Sequence, residues 1–214
     1  RRHPEYLQRA AIGVKPADAL VLASSSPVRA WTLKNAGLDF EIDPSDVDEN
    51  FIKNGFDAKR TSPKDVESKR AEHKALAVSQ RRPNAWVIRA NQVLVFNDTI
   101  FDKPADLQEA ASNLRQFRGH SHELISAVCV ARGNQPEWNY SEAVRLQMRG
   151  FSDGFLDSYL DEAGESVVTS VGAYRLEGLG AQLFSQIEGD YFAVLGLPLL
   201  PLLNFLRSQG VIPT

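Results

Sequence analysis

The run Ser24-Ser25-Ser26-Pro27-Val28-Arg29 sets three consecutive hydroxyls and a guanidinium between the apolar segment 19–23 and a helix-like segment, 28–36, that Gly37 stops. A strand that delivers such residues to a helix start is suited to anions. Hydroxyls and free backbone N–H groups donate, the helix dipole favours negative charge, and an arginine grips a phosphate with two parallel hydrogen bonds. The plainer alternative is a serine N-cap followed by proline at the first helical position. Which reading holds depends on what the rest of the chain can bring to the same place.

Elements that could position this run follow from periodicity and punctuation. Strand-like runs occur at 20–23, 40–43, 86–88 and 93–96, and Asn97-Asp98 predicts a hairpin turn into a strand at 99–101. Ser62-Pro63 opens a helix reaching about Gln80, with Asp65 and Glu67 in its first turns. Leu107, Ala110, Ala111, Leu114 and Phe117 form one apolar helical stripe, capped by Asp106 and ended at Gly119. Two long strands are expected at 122–131 and 138–148, joined by a turn at 133–136. Ser152 starts a short helix, and Pro198 opens a final one with an apolar face at 199–206. Interleaved strands and helices with two long adjacent strands predict an α/β fold on a mixed sheet.

The 214 residues suffice for one large domain, and 43% hydrophobic with 24% charged residues is an ordinary globular composition. A net charge of −3 argues against coating nucleic acid, so no nucleic-acid partner is expected. Cys129 is the single cysteine and lies in an apolar run, which excludes an internal disulfide and predicts a buried thiol. No stretch has the length to span a bilayer, so a membrane partner is not expected and the cytoplasm is the expected location. Residues 1–17 read as an N-terminal extension and 18–210 as the domain.

Six blocks occur in order: SSSPVR at 24–29, PSDVDE at 44–49, Asp102-Lys103-Pro104, GAYRLEGLG at 172–180, IEGDY at 187–191 and GLP at 196–198. Together, over about residues 19–208, they resemble the Maf-like nucleoside triphosphate pyrophosphatases, also called septum-formation proteins. The resemblance implies a twisted mixed sheet flanked by helices, in two lobes with a central cleft. It implies cleavage of a nucleoside triphosphate to the monophosphate and pyrophosphate, with a divalent cation (Mg²⁺ or Mn²⁺) as cofactor.

By resemblance, Ser24, Ser26, Arg29, Lys74 and Lys103 correspond to substrate-gripping positions, and Glu49 to an acidic residue near the metal. The family usually reads Gly-Ala-Asp or Gly-Ser-Asp where this chain has Arg89-Ala90-Asn91, and that Asp is its presumed general base. Asn91 is therefore the catalytic position carrying a carboxamide, which has no useful basicity. Val28, Gln92 and Glu177 fall at specificity positions. The Gln/Glu pair is similar to the 7-methyl-GTP-preferring subgroup, although that subgroup typically has Trp at the position of Val28. A carboxylate at Glu177 can accept both neighbouring N–H groups of a guanine edge.

Two functional readings follow. One is an active pyrophosphatase on a guanine-type or modified nucleotide. The other is a catalytically impaired nucleotide-binding homologue, because Asn91 and Arg89 replace the expected residues. The apolar face of the last helix would permit a homodimer. The strictest expectation is that Ser24, Ser26, Arg29, Glu49, Lys74, Asn91, Lys103 and Glu177 converge on one cleft.

Overall fold

Leu20, Val21 and Leu22 form strand β1 (Leu20–Leu22), buried on both faces, as a central parallel strand must be. The computed structural model describes residues 19–46 and 62–214. Along the described chain, α1 (Pro27–Asn35), β2 (Glu41–Ile42), α2 (Pro63–Arg81), β3 (Trp86–Phe96) and β4 (Thr99–Phe101) follow. Then come α3 (Leu107–Phe117), β5 (Ser121–Arg132), β6 (Gln135–Met148) and α4 (Asp153–Ala163). Two 3₁₀ turns, Gly164–Thr169 and Leu179–Leu183, precede β7 (Phe184–Glu188), α5 (Tyr191–Val194) and α6 (Leu199–Ser208).

Among the described residues the strands make one seven-stranded mixed sheet in the order β2-β1-β3-β5-β6-β7, with β4 also on β3. β1 is parallel to β2 and β3, and the remaining pairs are antiparallel. Helix α2 covers one face, where Ala71 and Ala75 meet Ala127, Cys129 and Ala131. These small side chains let helix and sheet approach closely. On the opposite face Leu199, Leu202 and Leu206 of α6 pack with Ile88, Val128 and Val130. The mixed α/β architecture is the one expected from the chain's pattern.

Differences in detail have physical causes. The runs 86–88 and 93–96 are one strand, because β3 pairs with β5 without interruption from Val87↔Ala131 to Val95↔Glu123. That ladder overrides the local polarity of Arg89, Asn91 and Gln92. The hairpin at Asn97-Asp98 forms as expected, both residues adopting positive φ (48° and 59°), as a tight hairpin turn requires. The later turn is confined to Gly133-Asn134, so Gln135 and Pro136 already belong to β6. Of the glycines in the GAYRLEGLG and IEGDY blocks, Gly189 adopts a positive φ (131°), whereas Gly172, Gly178 and Gly180 do not. Gly172 is instead required by space, since a Cβ there would lie 2.2 Å from the Tyr174 ring.

One feature of this sheet creates the site. β1 and β4 lie on the same edge of β3, β1 against residues 86–88 and β4 against 94–96. Between them the edge of β3 at 89–93 is left open. The chain leaving β1 and the chain leaving β4 both exit at that gap.

Candidate active site

A cavity of about 750 Å³ occupies the gap. Its walls come from the loop after β1 (Ser24 to Arg29), the loop after β4 (Asp102, Lys103), the middle of β3 (Arg89, Asn91, Gln92) and residues 168–177. Ligands of open α/β sheets collect where neighbouring strand ends diverge in this way.

The serine-rich loop is built as expected, although its hydroxyls are used locally. Ser26 caps α1, its Oγ accepting from the Arg29 backbone N–H at 3.5 Å. Ser24 is buried, and its Oγ accepts from Ser26 N and from Arg29 Nη1, each at 3.2 Å. Arg29 Nε donates to the Gly196 carbonyl at 2.9 Å, which ties this loop to the entry of α6. Gly196 sits at φ +85°, and a Cβ there would meet the Arg29 guanidinium at 3.4 Å and Gln92 Oε1 at 3.5 Å. Val28 also lines the cavity.

Successive β3 residues face opposite sides. Gln92 points to the α6 side, between the two largest apolar clusters, where Ile88 and Ala90 belong to one and Leu94 to the other. Its Nε2 is surrounded by acceptors: Ser126 Oγ at 2.9 Å and the carbonyls of Ala193 and Val194 at 3.0 Å. Turning the amide over would set oxygen against oxygen, so Gln92 can offer a ligand only its Oε1 acceptor.

Arg89 and Asn91 point to the α2 side. Arg89 Nη1 donates to the Ala23 carbonyl at 2.8 Å. Asn91 Nδ2 donates to Glu67 Oε2 at 2.5 Å, and Arg70 Nη1 donates to Glu67 Oε1 at 2.6 Å. Glu67 is fully buried, and Arg70 is 5% exposed yet lines the cavity beside Asn91. Because the carboxylate accepts from Nδ2, the Asn91 Oδ1 is the end of the amide turned away from Glu67.

Of the residues expected to converge, Ser24, Ser26, Arg29, Asn91, Lys103 and Glu177 line this cavity. Lys74 does not; it is 3% exposed, within the buried stripe of α2, and Arg70 one turn earlier faces the cavity instead. Glu49 and Asp48 lie outside the described residues. Arg70 escaped the reading of the sequence, and Glu67 entered it only as an acidic residue in the first turns of the helix, not as a site residue. Their signal was the spacing 67, 70, 71, 74, 75, 78, which puts three charges on the same helical stripe as Ala71, Ala75 and Val78.

On the far wall Glu177 Oε1 accepts from Arg175 Nε at 2.9 Å. Tyr174 backs this wall, its hydroxyl 2.7 Å from His122 Nε2, and Tyr159 donates to the Ala173 carbonyl at 3.0 Å. Burial holds His122 well below its usual range, at about 4, and pushes the Tyr174 phenol up. His122, packed among Phe117, Tyr174 and Phe184 rings, is a neutral packing residue.

The divalent cation implied by the resemblance needs hard oxygen ligands. The described wall offers the carboxylates Asp102 and Glu177, the second already holding Arg175, against the cations Arg29, Arg70, Arg89, Lys103 and Arg175. Asn91 holds the Glu67 carboxylate through its Nδ2, and Arg70 and Arg89 line the same cavity. Among the described residues Asp102 and Glu177 are the carboxylates of this wall, and Glu49, the acidic residue expected near the metal, lies outside them.

Residues 19–209 match the family described as Maf-like protein. A nucleoside triphosphate pyrophosphatase of Paramagnetospirillum magneticum is 50% identical over 190 residues, covering 89% of this chain and 98% of that protein. A protein of Granulibacter bethesdensis with the same description is 46% identical, covering 89% of this chain and 96% of that one. A 7-methyl-GTP pyrophosphatase of Rhizobium meliloti is 44% identical over 193 residues, covering 90% and 97% respectively. With a match that spans nearly the whole described domain and relatives covered almost end to end, the chain belongs to the Maf-like protein family.

Proposed function

We propose that this chain is a nucleoside triphosphate pyrophosphatase acting on guanine-type nucleotides, releasing the monophosphate and pyrophosphate. The observation that carries the reading is the cavity at the β1/β4 gap, where five cationic side chains surround a serine-rich turn opening α1. A triphosphate is the ligand whose charge suits that wall.

The base-reading end rests on Gln92 and Glu177. Gln92 offers an acceptor, as argued from its three Nε2 partners. Glu177 adds a carboxylate on the same cavity. Two acceptors suit the N–H groups of a guanine edge, and a cationic N7-methylated base gains further from the carboxylate. The names of relatives such as the 7-methyl-GTP pyrophosphatase of Rhizobium meliloti support this choice.

Chemistry at the α phosphate requires water to attack and pyrophosphate to leave. Arg29 and Lys103 offset the charge that builds on the phosphoryl oxygens, and such preorganised donors act without a base. Asn91 Oδ1 accepts a hydrogen bond from the attacking water and orients it, but takes no proton. Turnover is accordingly slow, since losing a positioned base costs roughly 10²- to 10⁴-fold. Pyrophosphate release should be measured for GTP, 7-methyl-GTP, UTP and dTTP, with and without Mg²⁺ or Mn²⁺. Release from the guanine nucleotides above the uncatalysed rate supports the assignment. Binding of all four without release from any would favour the impaired nucleotide-binding homologue.

A further inference from the structure

Ser126 is fully buried and no part of the cavity wall, yet it carries a hydroxyl between the apolar Ile125 and Ala127 of β5. It stands directly opposite Gln92 in the β3–β5 ladder, so both side chains rise from the same face of the sheet. Its proton is committed, because Oγ donates to the Ala193 carbonyl at 2.7 Å. A hydroxyl has one hydrogen, so towards Gln92, whose Nε2 lies at 2.9 Å, Ser126 can only accept. The Ala193 carbonyl is crowded by comparison. On two lone pairs it takes the Ser126 hydroxyl, the Gly196 N–H at 3.0 Å and Gln92 Nε2 at 3.0 Å. Among the described residues Gln92 has Ser126 Oγ, the nearest of its three acceptors, to itself.

We infer that Ser126 is a positioning residue for base selection: it fixes the polarity of the Gln92 amide from behind, so that the cavity meets Oε1 and not Nε2. This rests on the guanine reading given above. A side-chain amide presents an acceptor or a pair of donors, depending on which way it is turned. With its nitrogen held by Ser126, Gln92 offers the acceptor that suits the N–H groups of a guanine edge. Turned over, it would offer N–H groups to the carbonyls of a uracil edge. Ser126→Ala removes the uncontested acceptor and leaves Gln92 with the carbonyls of Ala193 and Val194, both from one end of α5. The turn after α5 keeps its own bonds, Ala193 N–H on Asp190 Oδ1 at 2.9 Å and Gly196 N–H on the Ala193 carbonyl. Arg29, whose Nε donates to the Gly196 carbonyl, therefore keeps its anchor.

The test is calorimetry with GTP, UTP and inorganic tripolyphosphate on the full chain, Ser126→Ala, Gln92→Met and the double variant. Ser126→Ala should lower the GTP-to-UTP affinity ratio by about three- to tenfold, the value of one net hydrogen bond. Tripolyphosphate, which has no base, should bind Ser126→Ala and the parent within about twofold of each other. On the Gln92→Met background, Ser126→Ala should change the ratio by less than about twofold, since nothing is left to orient. A ratio unchanged by Ser126→Ala overturns the inference, and so does an equal change on both backgrounds. Equal weakening of all three ligands, in a variant shown to be folded by circular dichroism, reveals a purely structural role and overturns it too. A Gln92→Met variant with the parental ratio removes Gln92 from base reading and this inference with it, while nucleotide binding stands. No binding of GTP or UTP by the parent sinks the nucleotide reading as well.

Discussion

Asn91→Asp is the substitution that would supply the expected base, and the surroundings of Asn91 predict that it will not act as a simple repair. Asn91 Nδ2 lies 2.5 Å from Glu67 Oε2, and Glu67 is fully buried. Aspartate there puts a second carboxyl against the first. Two like charges about 4 Å apart repel by roughly 4 kcal/mol at an effective dielectric near 20, equivalent to about 3 pKa units. Arg70, already on Glu67 at 2.6 Å, offsets part of this. The pair should therefore share one proton and lose it only near neutral pH, behaving as a coupled dyad. The new carboxyl has a folded pKa above its unfolded value of about 3.9. Relative to the parent, the variant should match best below pH 4 and lose stability as pH rises through the dyad's upper pKa, by about 2–4 kcal/mol in all. Chemical denaturation at a series of pH values reads this directly. Pyrophosphate release by the variant should be near parental at pH 6 and rise by roughly 10²-fold as the shared proton leaves. Adding Glu67→Gln should move that rise to lower pH. A variant whose stability difference from the parent does not change with pH would refute the contact with Glu67 as the controlling interaction.

Three further outcomes are expected. Glu177→Gln, which can keep the Arg175 contact through its carbonyl, should shift binding from GTP towards UTP by about tenfold in the ratio of calorimetric affinities; an unchanged ratio would remove Glu177 from base reading. His122 is held at about 4 by burial, so the unfolded chain takes up its proton first as pH falls. Stability should be level above pH 6.5 and drop by about 3 kcal/mol between 6.5 and 4, a loss that His122→Phe should largely abolish in denaturation curves. Gly196→Ala forces a side chain into φ +85° beside Arg29 and Gln92. It should cost about 1–2 kcal/mol of stability and weaken GTP binding, measured by denaturation and calorimetry on the same protein.

Much of this architecture is local in origin and was legible in the chain. Caps at Ser26, Ser62, Asp106 and Ser152, each accepting from the backbone N–H three residues on, mark four helix starts. The stripe of α3 and the Asn97-Asp98 turn are likewise short-range patterns that need no partner to be recognised. The motif blocks, by resemblance, named most of the cavity wall. What the sequence alone could not decide is which way the charged side chains turn. Lys74 and Arg70 sit one helical turn apart on the same buried stripe, and only the seating of α2 on β3 and β5 turns Arg70 to the cavity. Nor does any local signal say that Arg89, Asn91 and Gln92 lie in a continuous strand, because that strand exists through its ladder to β5. The cavity itself has no sequence signature. It arises because β1 and β4 share one edge of β3 and stop short of each other, a consequence of long-range strand pairing.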